Sequence, residues 1–142
     1  MKVVFDTNIV IDAVASRQPF CREAETLLLM VSEGKIEGFL TANSITGIFY
    51  VVCRYLTEVK TREIIRSILY SLEVIEVGGS DCQQALSLPM QDFEDALIAS
   101  CAKKAGADCI VSRDGGFIKA ASPVQVVSPT EFLSKNVREI NP

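Results

Sequence analysis

Apolar residues recur along this chain in two rhythms, short continuous runs and runs spaced by three and four, and the two alternate. Lys2–Phe5 is a short β-branched and aromatic run closed by Asp6-Thr7-Asn8, and it reads as a buried strand. Runs of the same kind cover residues 36–41, 74–77 (closed by Gly78-Gly79), 109–112 and, more weakly, 124–127. Helical spacing fills the intervals. A short helix is expected at 9–14. A second, with Pro19 in its first turn, is carried by Ala24, Leu27, Leu28 and Val31 and ended by Gly34. A third, at 44–56, puts Ile45, Ile48, Phe49, Val52, Cys53 and Leu56 on one face, and a fourth, at 60–72, turns Ile64, Ile65, Ile68 and Leu69 inward. A short helix at 81–87 stops before Pro89. The clearest helix spans 92–105, with acids in its first turn, Lys103 and Lys104 in its last and Gly106 just beyond. Pro129-Thr130-Glu131 opens a final short helix, and the tail after Lys135 is expected to fray.

Strands alternating with helices at this spacing imply an α/β fold: a mostly parallel central sheet of about five strands, covered on both faces. No repeat, linker or low-complexity stretch interrupts residues 1–142, so one domain is expected.

Composition narrows the chemistry more than the fold. With 142 residues, 49% hydrophobic and 23% charged, the chain has the makings of an ordinary packed core. No run approaches ~20 apolar residues, so no membrane span is expected. The acid at position 6 arrives before any leader-like apolar stretch. Five cysteines (Cys21, Cys53, Cys82, Cys101, Cys109) form no Cys-x-x-Cys pair and read as structural thiols in a reducing compartment, which points to the cytoplasm. Histidine is absent. That excludes His-bound zinc, Ser-His-Asp triads and imidazole acid–base catalysis. Metal chemistry would have to rest on carboxylates, which favour Mg²⁺ or Mn²⁺. A net charge of −4 excludes a generally basic nucleic-acid surface but leaves room for a local basic patch.

Sites in open parallel sheets gather beyond the carboxyl ends of the strands. Asp6 ends the first strand, and Asp114 follows the fourth within Val-Ser-Arg-Asp-Gly-Gly-Phe. Asp92 and Asp95 stand three apart in the first turn of the helix that leads into that fourth strand. Such a helix runs antiparallel to the strands, so its N-terminus lies at the same edge. Asp6, Asp92, Asp95 and Asp114 therefore converge, and a hard divalent cation would relieve their repulsion. Each has an ordinary reading as well: Asp92 as a helix cap, Asp95 and Glu94 as dipole partners, Asp6 and Asp114 as turn formers. Their coincidence at one edge carries the functional reading.

Three stretches, Val4-Phe5-Asp6-Thr7-Asn8, Asp92-Phe93-Glu94-Asp95-Ala96 and Val111-Ser112-Arg113-Asp114, occur here in order. In these the chain resembles PIN-domain proteins, metal-dependent ribonuclease-like domains of which many are VapC-like toxins of prokaryotic toxin–antitoxin pairs. The resemblance covers nearly the whole chain. It implies a three-layer α/β/α sandwich and a Mg²⁺ or Mn²⁺ site lined by Asp6, Asp95 and Asp114. Thr7 and Asn8 would orient the loop around Asp6, and Asp92 matches an additional acid found in one branch. One departure stands out. Most active members carry a glutamate near the start of the helix after the second strand; here Gly47 holds that position, with Thr46 and Asn43 the nearest polar residues. Asp92 is the carboxylate placed to make good the loss.

The leading functional expectation is hydrolysis of RNA phosphodiester bonds, on single-stranded RNA, by an activated water. Asp6, Asp92, Asp95 and Asp114 would be catalytic, Asn8, Thr46 and Arg113 would contact substrate, and Arg17, Arg22 and Lys119 are further candidates for its backbone. A catalytically weak or inactive module that binds RNA or a protein partner is the alternative, and Gly47 is its main support. An aspartyl-phosphate mechanism is disfavoured because Asn8 stands where a second acid would be needed. The resemblance further implies an antitoxin partner if the chain is a toxin, and self-association, for which the helix bearing Phe49, Tyr50, Tyr55 and Leu56 offers an apolar face.

Overall fold

Successive strand residues leave a sheet on opposite faces, and the core divides accordingly. Val3, Phe5, Leu40, Cys109, Val111 and Val127 enter one hydrophobic cluster, while Val4, Phe39, Ile110 and Val126 enter the other. In the computed structural model, which describes residues 1–136, the five strands are β1 (Lys2–Phe5), β2 (Glu37–Thr41), β3 (Glu73–Ile75), β4 (Cys109–Val111) and β5 (Val126–Val127). They form one sheet in the order β3-β2-β1-β4-β5, and every pairing is parallel. Eight helices accompany them among the described residues: α1 (Thr7–Val14), α2 (Cys21–Ser32), α3 (Ala42–Val52), α4 (Glu58–Ser71), α5 (Gly79–Ser87), α6 (Phe93–Lys104), α7 (Gly115–Lys119) and α8 (Pro129–Lys135). Residues of α1 to α4 and α8 pack into the first cluster, those of α5 to α7 into the second. The architecture is the α/β/α sandwich expected.

Local signals explain most boundaries. Thr57 accepts from the Lys60 amide to start α4, and Ser128 accepts from Glu131 to start α8, with Pro129 in the first turn. Gly34 and Gly106 take left-handed φ values of 73° and 70° after α2 and α6, a conformation that costs glycine nothing. Most ends fall within two residues of expectation; the differences with a structural cause are these. Pro19 lies in the turn before α2, which begins at Cys21. α3 starts earlier and ends at Val52, because residues 53–55 turn and Leu56 packs back on the core. β3 is shifted toward Glu73. The short helix α7 was not foreseen at all. The expected fraying beyond Asn136 lies outside the described residues.

The topology matters because β1 is central, with β2 on one side and β4 on the other. The chain leaves β1 toward β2 and returns later to add β4 on the opposite flank. The crevice beyond the carboxyl ends of β1 and β4 is thus the switch point of the sheet.

Gly38, in β2, marks the tightest packing. A Cβ built there would stand 2.5 Å from Leu72 Cδ2, 2.7 Å from Val31 Cγ2 and 2.9 Å from Phe5 Cε2. Gly38→Ala should therefore destabilise the fold by about 1–3 kcal/mol, the usual range for overpacking. Urea unfolding would show this as a lower midpoint; an unchanged midpoint would mean that these side chains move aside freely.

Candidate metal centre

Asp6 begins the site, as the N-cap of α1. Its backbone N–H donates to the carbonyl of Val111 at 2.9 Å, which ties the end of β1 to the end of β4. Three donors converge on its carboxylate: the Thr7 N–H at 2.8 Å on Oδ1, and on Oδ2 the Asn8 amide at 3.2 Å and the Ser112 hydroxyl at 2.7 Å. Ser112 Oγ also accepts from the Asp114 N–H at 3.1 Å, so one hydroxyl links the two carboxylate-bearing loops. Asp114 caps α7, accepting from Gly116 N at 2.9 Å. That cap and the buried Phe117 account for a helix that two leading glycines disguise.

Asp92 caps α6 in the same manner, its Oδ1 accepting from Asp95 N at 3.0 Å. Asp92, Asp95 and Asp114 line one cleft of about 310 Å³, together with Gly116 and Lys119. Asp6 is only 7% exposed, yet it is close enough to repel the others. Burial first, and then the negative charges of Asp92, Asp6, Asp114 and Glu94, together push the Asp95 carboxyl up to about 7. Asp6 is raised chiefly by burial, against the lowering effect of Ser112 and Thr7, with Asp114 and Asp92 adding repulsion. Glu94 is raised by burial and by Asp6 and Asp92. It is a fifth carboxylate of this cluster, one that sequence reading assigned only to the helix dipole.

Elsewhere the protein neutralises its buried acids. Asp12 is held by Arg17 and Arg113, and Asp81 by Lys104. No ion pair among the described residues involves Asp6, Asp92, Glu94, Asp95 or Asp114. Asn8 Oδ1, beside Asp6, is also buried without a hydrogen-bond partner. An all-oxygen donor set carrying unbalanced negative charge fits a hard divalent ion. Among the described residues no three acidic or thiol groups stand together as a set that could hold a metal ion as they are placed.

The remaining expected residues divide. Thr7 Oγ1 donates to Ser44 Oγ at 3.0 Å, and Ser44 Oγ lies 3.0 Å from Thr41 Oγ1, which draws the start of α3 to the Asp6 loop. Gly47 therefore lies beside Thr7: a Cβ there would meet Thr7 Cγ2 at 3.7 Å, ordinary contact. Thr46 is exposed on α3, and Arg22 is exposed on α2. Arg17 and Arg113 are engaged with Asp12, and Lys119 is the basic residue that lines the cleft. Sequence reading passed over Asp12, although an acid inside Ile9-Val10-Ile11-Asp12-Ala13 is a visible anomaly in an apolar helix.

With the Asp95 carboxyl at about 7 in the fold against an ordinary 3.8, the folded state holds a proton that the unfolded chain releases. This contribution to stability is complete below about pH 4 and disappears as pH rises through about 7. Thermal melts in chelator should therefore fall between pH 5 and pH 8, and Asp95→Asn should flatten that slope. An unaltered slope in the variant would remove Asp95 as the source.

Comparison with known proteins adds to this geometry. The family model of the PIN domain matches residues 2–115. Ribonuclease VapC1 of Aquifex aeolicus (strain VF5) is 24% identical over 139 residues, 94% of each chain. VapBC2 of Rickettsia felis, solved bound to a DNA fragment from their promoter, superposes with a TM-score of 0.69 at 17% identity, covering 90% of this chain and 98% of that one. A toxin–antitoxin complex from Klebsiella pneumoniae gives 0.64 at 21% identity, covering 89% and 97%. These two show a shared fold. With four-fifths of its length matched and its acids gathered at the switch point of an all-parallel sheet, this chain belongs to the PIN-domain family.

Proposed function

We propose that this protein is a divalent-metal-dependent endoribonuclease and the toxin of a toxin–antitoxin pair. The observation that carries the reading is the unneutralised carboxylate cluster at the switch point, in a protein that gives basic partners to its other buried acids. The ribonuclease relative and the toxin–antitoxin complexes of like fold supply the substrate class and the partner class.

Asp6, Asp95 and Asp114 would hold Mg²⁺ or Mn²⁺. When bound, the ion lowers the pKa of a water and polarises the phosphoryl oxygens. Asp92, which lines the same cleft, and Glu94, which feels the charges of Asp6 and Asp92, would be the candidates to orient a water there. Asn8 and Ser112 hold the Asp6 carboxylate in orientation, and Ser112 opposes the upward pull of burial on it. Lys119, which lines the cleft, is the candidate contact for the RNA backbone; Thr46, exposed on α3, is not among the residues lining that cleft. Single-stranded RNA suits a cleft that carries no broad basic surface. An antitoxin would find apolar surface on α3 and α4, where Tyr50, Val59, Leu69 and Tyr70 are exposed. Of the residues expected to support a dimer, Tyr50 and Tyr55 are exposed, while Leu56 packs against the core.

Gly47 favours a second reading, a module that binds RNA without cleaving it. Calorimetry with Mn²⁺ on wild type, Asp6→Ala and Asp95→Ala separates the two. Binding that both substitutions abolish, together with metal-dependent RNA cleavage, supports the enzyme; no binding at millimolar Mn²⁺ supports the module. The space at position 47 generates a further prediction. Gly47→Glu should tighten Mn²⁺ binding by roughly tenfold, the scale of a supporting carboxylate, and raise cleavage with it. Unchanged affinity would place position 47 outside the site.

A further inference from the structure

Asp12 is completely buried in α1, six residues beyond Asp6, and two arginines neutralise it from different places. Arg17, in the turn after α1, reaches Oδ1 through Nε and Nη2, both at 2.7 Å, and its own N–H donates to the Asp12 carbonyl at 3.0 Å. Arg113 comes from the far side of the sheet's switch point, 101 residues later in sequence. It takes Oδ2 through Nε and Oδ1 through Nη2, a two-nitrogen grip, and its guanidinium lies 4.1 Å over the ring of Phe20.

What sets Arg113 apart is its neighbours. Ser112 turns its hydroxyl to Asp6, and Asp114 lines the cleft. Arg113, between them, turns the other way and locks onto α1. Two ties therefore hold this short loop to one helix: Ser112 to the residue that caps α1, and Arg113 to a carboxylate in its body. Arg17 grips the same carboxylate but carries no residue of the cluster.

The geometry points to Arg113 as a positioning residue: its grip on Asp12 fixes the 112–114 loop against α1 and so sets the separation of Asp114 from Asp6. Arg113 was expected at the substrate; here it acts from behind the site. The inference rests on the proposed metal-dependent reading only where metal affinity and cleavage are measured. The rigidity of the loop is testable without either.

The test compares Arg113→Gln with Arg17→Gln in the full chain, since each removes one cation from the same buried carboxylate. Hydrogen exchange at the amides of residues 112–116, in chelator, is the first readout. Arg113→Gln should speed exchange there, while Arg17→Gln leaves it near wild type even if both lower the melting temperature. Mn²⁺ affinity should fall roughly 10- to 100-fold in Arg113→Gln alone, as for other groups that orient ligands. In RNA cleavage, kcat should drop with KM unchanged. Equal loosening by both variants, or an undisturbed loop in Arg113→Gln, overturns the inference. A raised KM at constant kcat overturns it as well, because it would make Arg113 a substrate contact. If wild type neither binds Mn²⁺ nor cleaves RNA, the functional reading fails and exchange alone decides the loop. If Arg113→Gln does not fold, Arg113→Lys keeps the charge but loses the two-nitrogen grip, and the same exchange measurement applies.

Discussion

The hydrogen bond from Ser112 to Asp6 joins the ends of the two strands that flank the switch point, and the rest of the site depends on it. Burial raises the Asp6 carboxyl, and the hydrogen bonds from Ser112 and Thr7 oppose that rise. Those donors come from the first residues of α1 and from the end of β4. They meet only if β1 and β4 pair in the observed register, Phe5 opposite Val111. A slip of one residue would turn Ser112 to the other face and leave Asp6 without its shortest hydrogen bond. Sheet register and the ionisation of one carboxyl group are thus the same constraint seen at two scales.

The protein handles buried negative charge in two ways. Asp12, fully buried, is closed off by two arginines and an aromatic ring, and the result is a fixed strut. The Asp6 cluster is left open, and its cost is visible in the raised Asp95 and Glu94 carboxyls. Supplying Asp95 with a lysine would relieve that repulsion and fill the cleft. Stability and an open charged site compete here in the usual way. Asp12 itself is fully buried, and its two arginines, with side chains 25% and 30% exposed, meet it from the surface, so the carboxylate is neutralised while the cations stay partly hydrated.

Much of this was legible in the sequence for identifiable reasons. β1 reads as a strand because four residues are enough when β-branched and aromatic side chains serve both faces. α6 reads as a helix because dipole, cap and terminating glycine agree. The acids at 6, 95 and 114 could be grouped because parallel topology sends strand ends and helix starts to one edge. Other features were not legible. The five-residue helix α7 opens with two glycines, and only Phe117 packing and the Asp114 cap reveal it. Arg113 was read as a free cation because its partner lies 101 residues away. Gly38 looked like any strand glycine until Leu72, Val31 and Phe5 closed over it. The Arg113 grip and the packing over Gly38 join segments apart in sequence, and the Asp114 cap, though local, is one that apolar periodicity does not encode.

Gly47 stands where the resemblance to the family leads one to expect a glutamate. Its place beside Thr7 is set by the Thr7–Ser44–Thr41 hydroxyls, so the start of α3 approaches the site whatever residue stands at 47. Packing does not require glycine there, since a Cβ meets only ordinary contact, and a helical glycine costs about 0.5–1 kcal/mol relative to alanine. The glycine therefore answers no steric need. Five carboxylates already repel one another at this edge, and a sixth would raise that cost in the metal-free protein. Under the metal-dependent reading, the same sixth carboxylate would deepen the well for a cation. Gly47 then trades cation affinity for stability of the empty site, with Asp92 and Glu94 on α6 in place of an acid on α3.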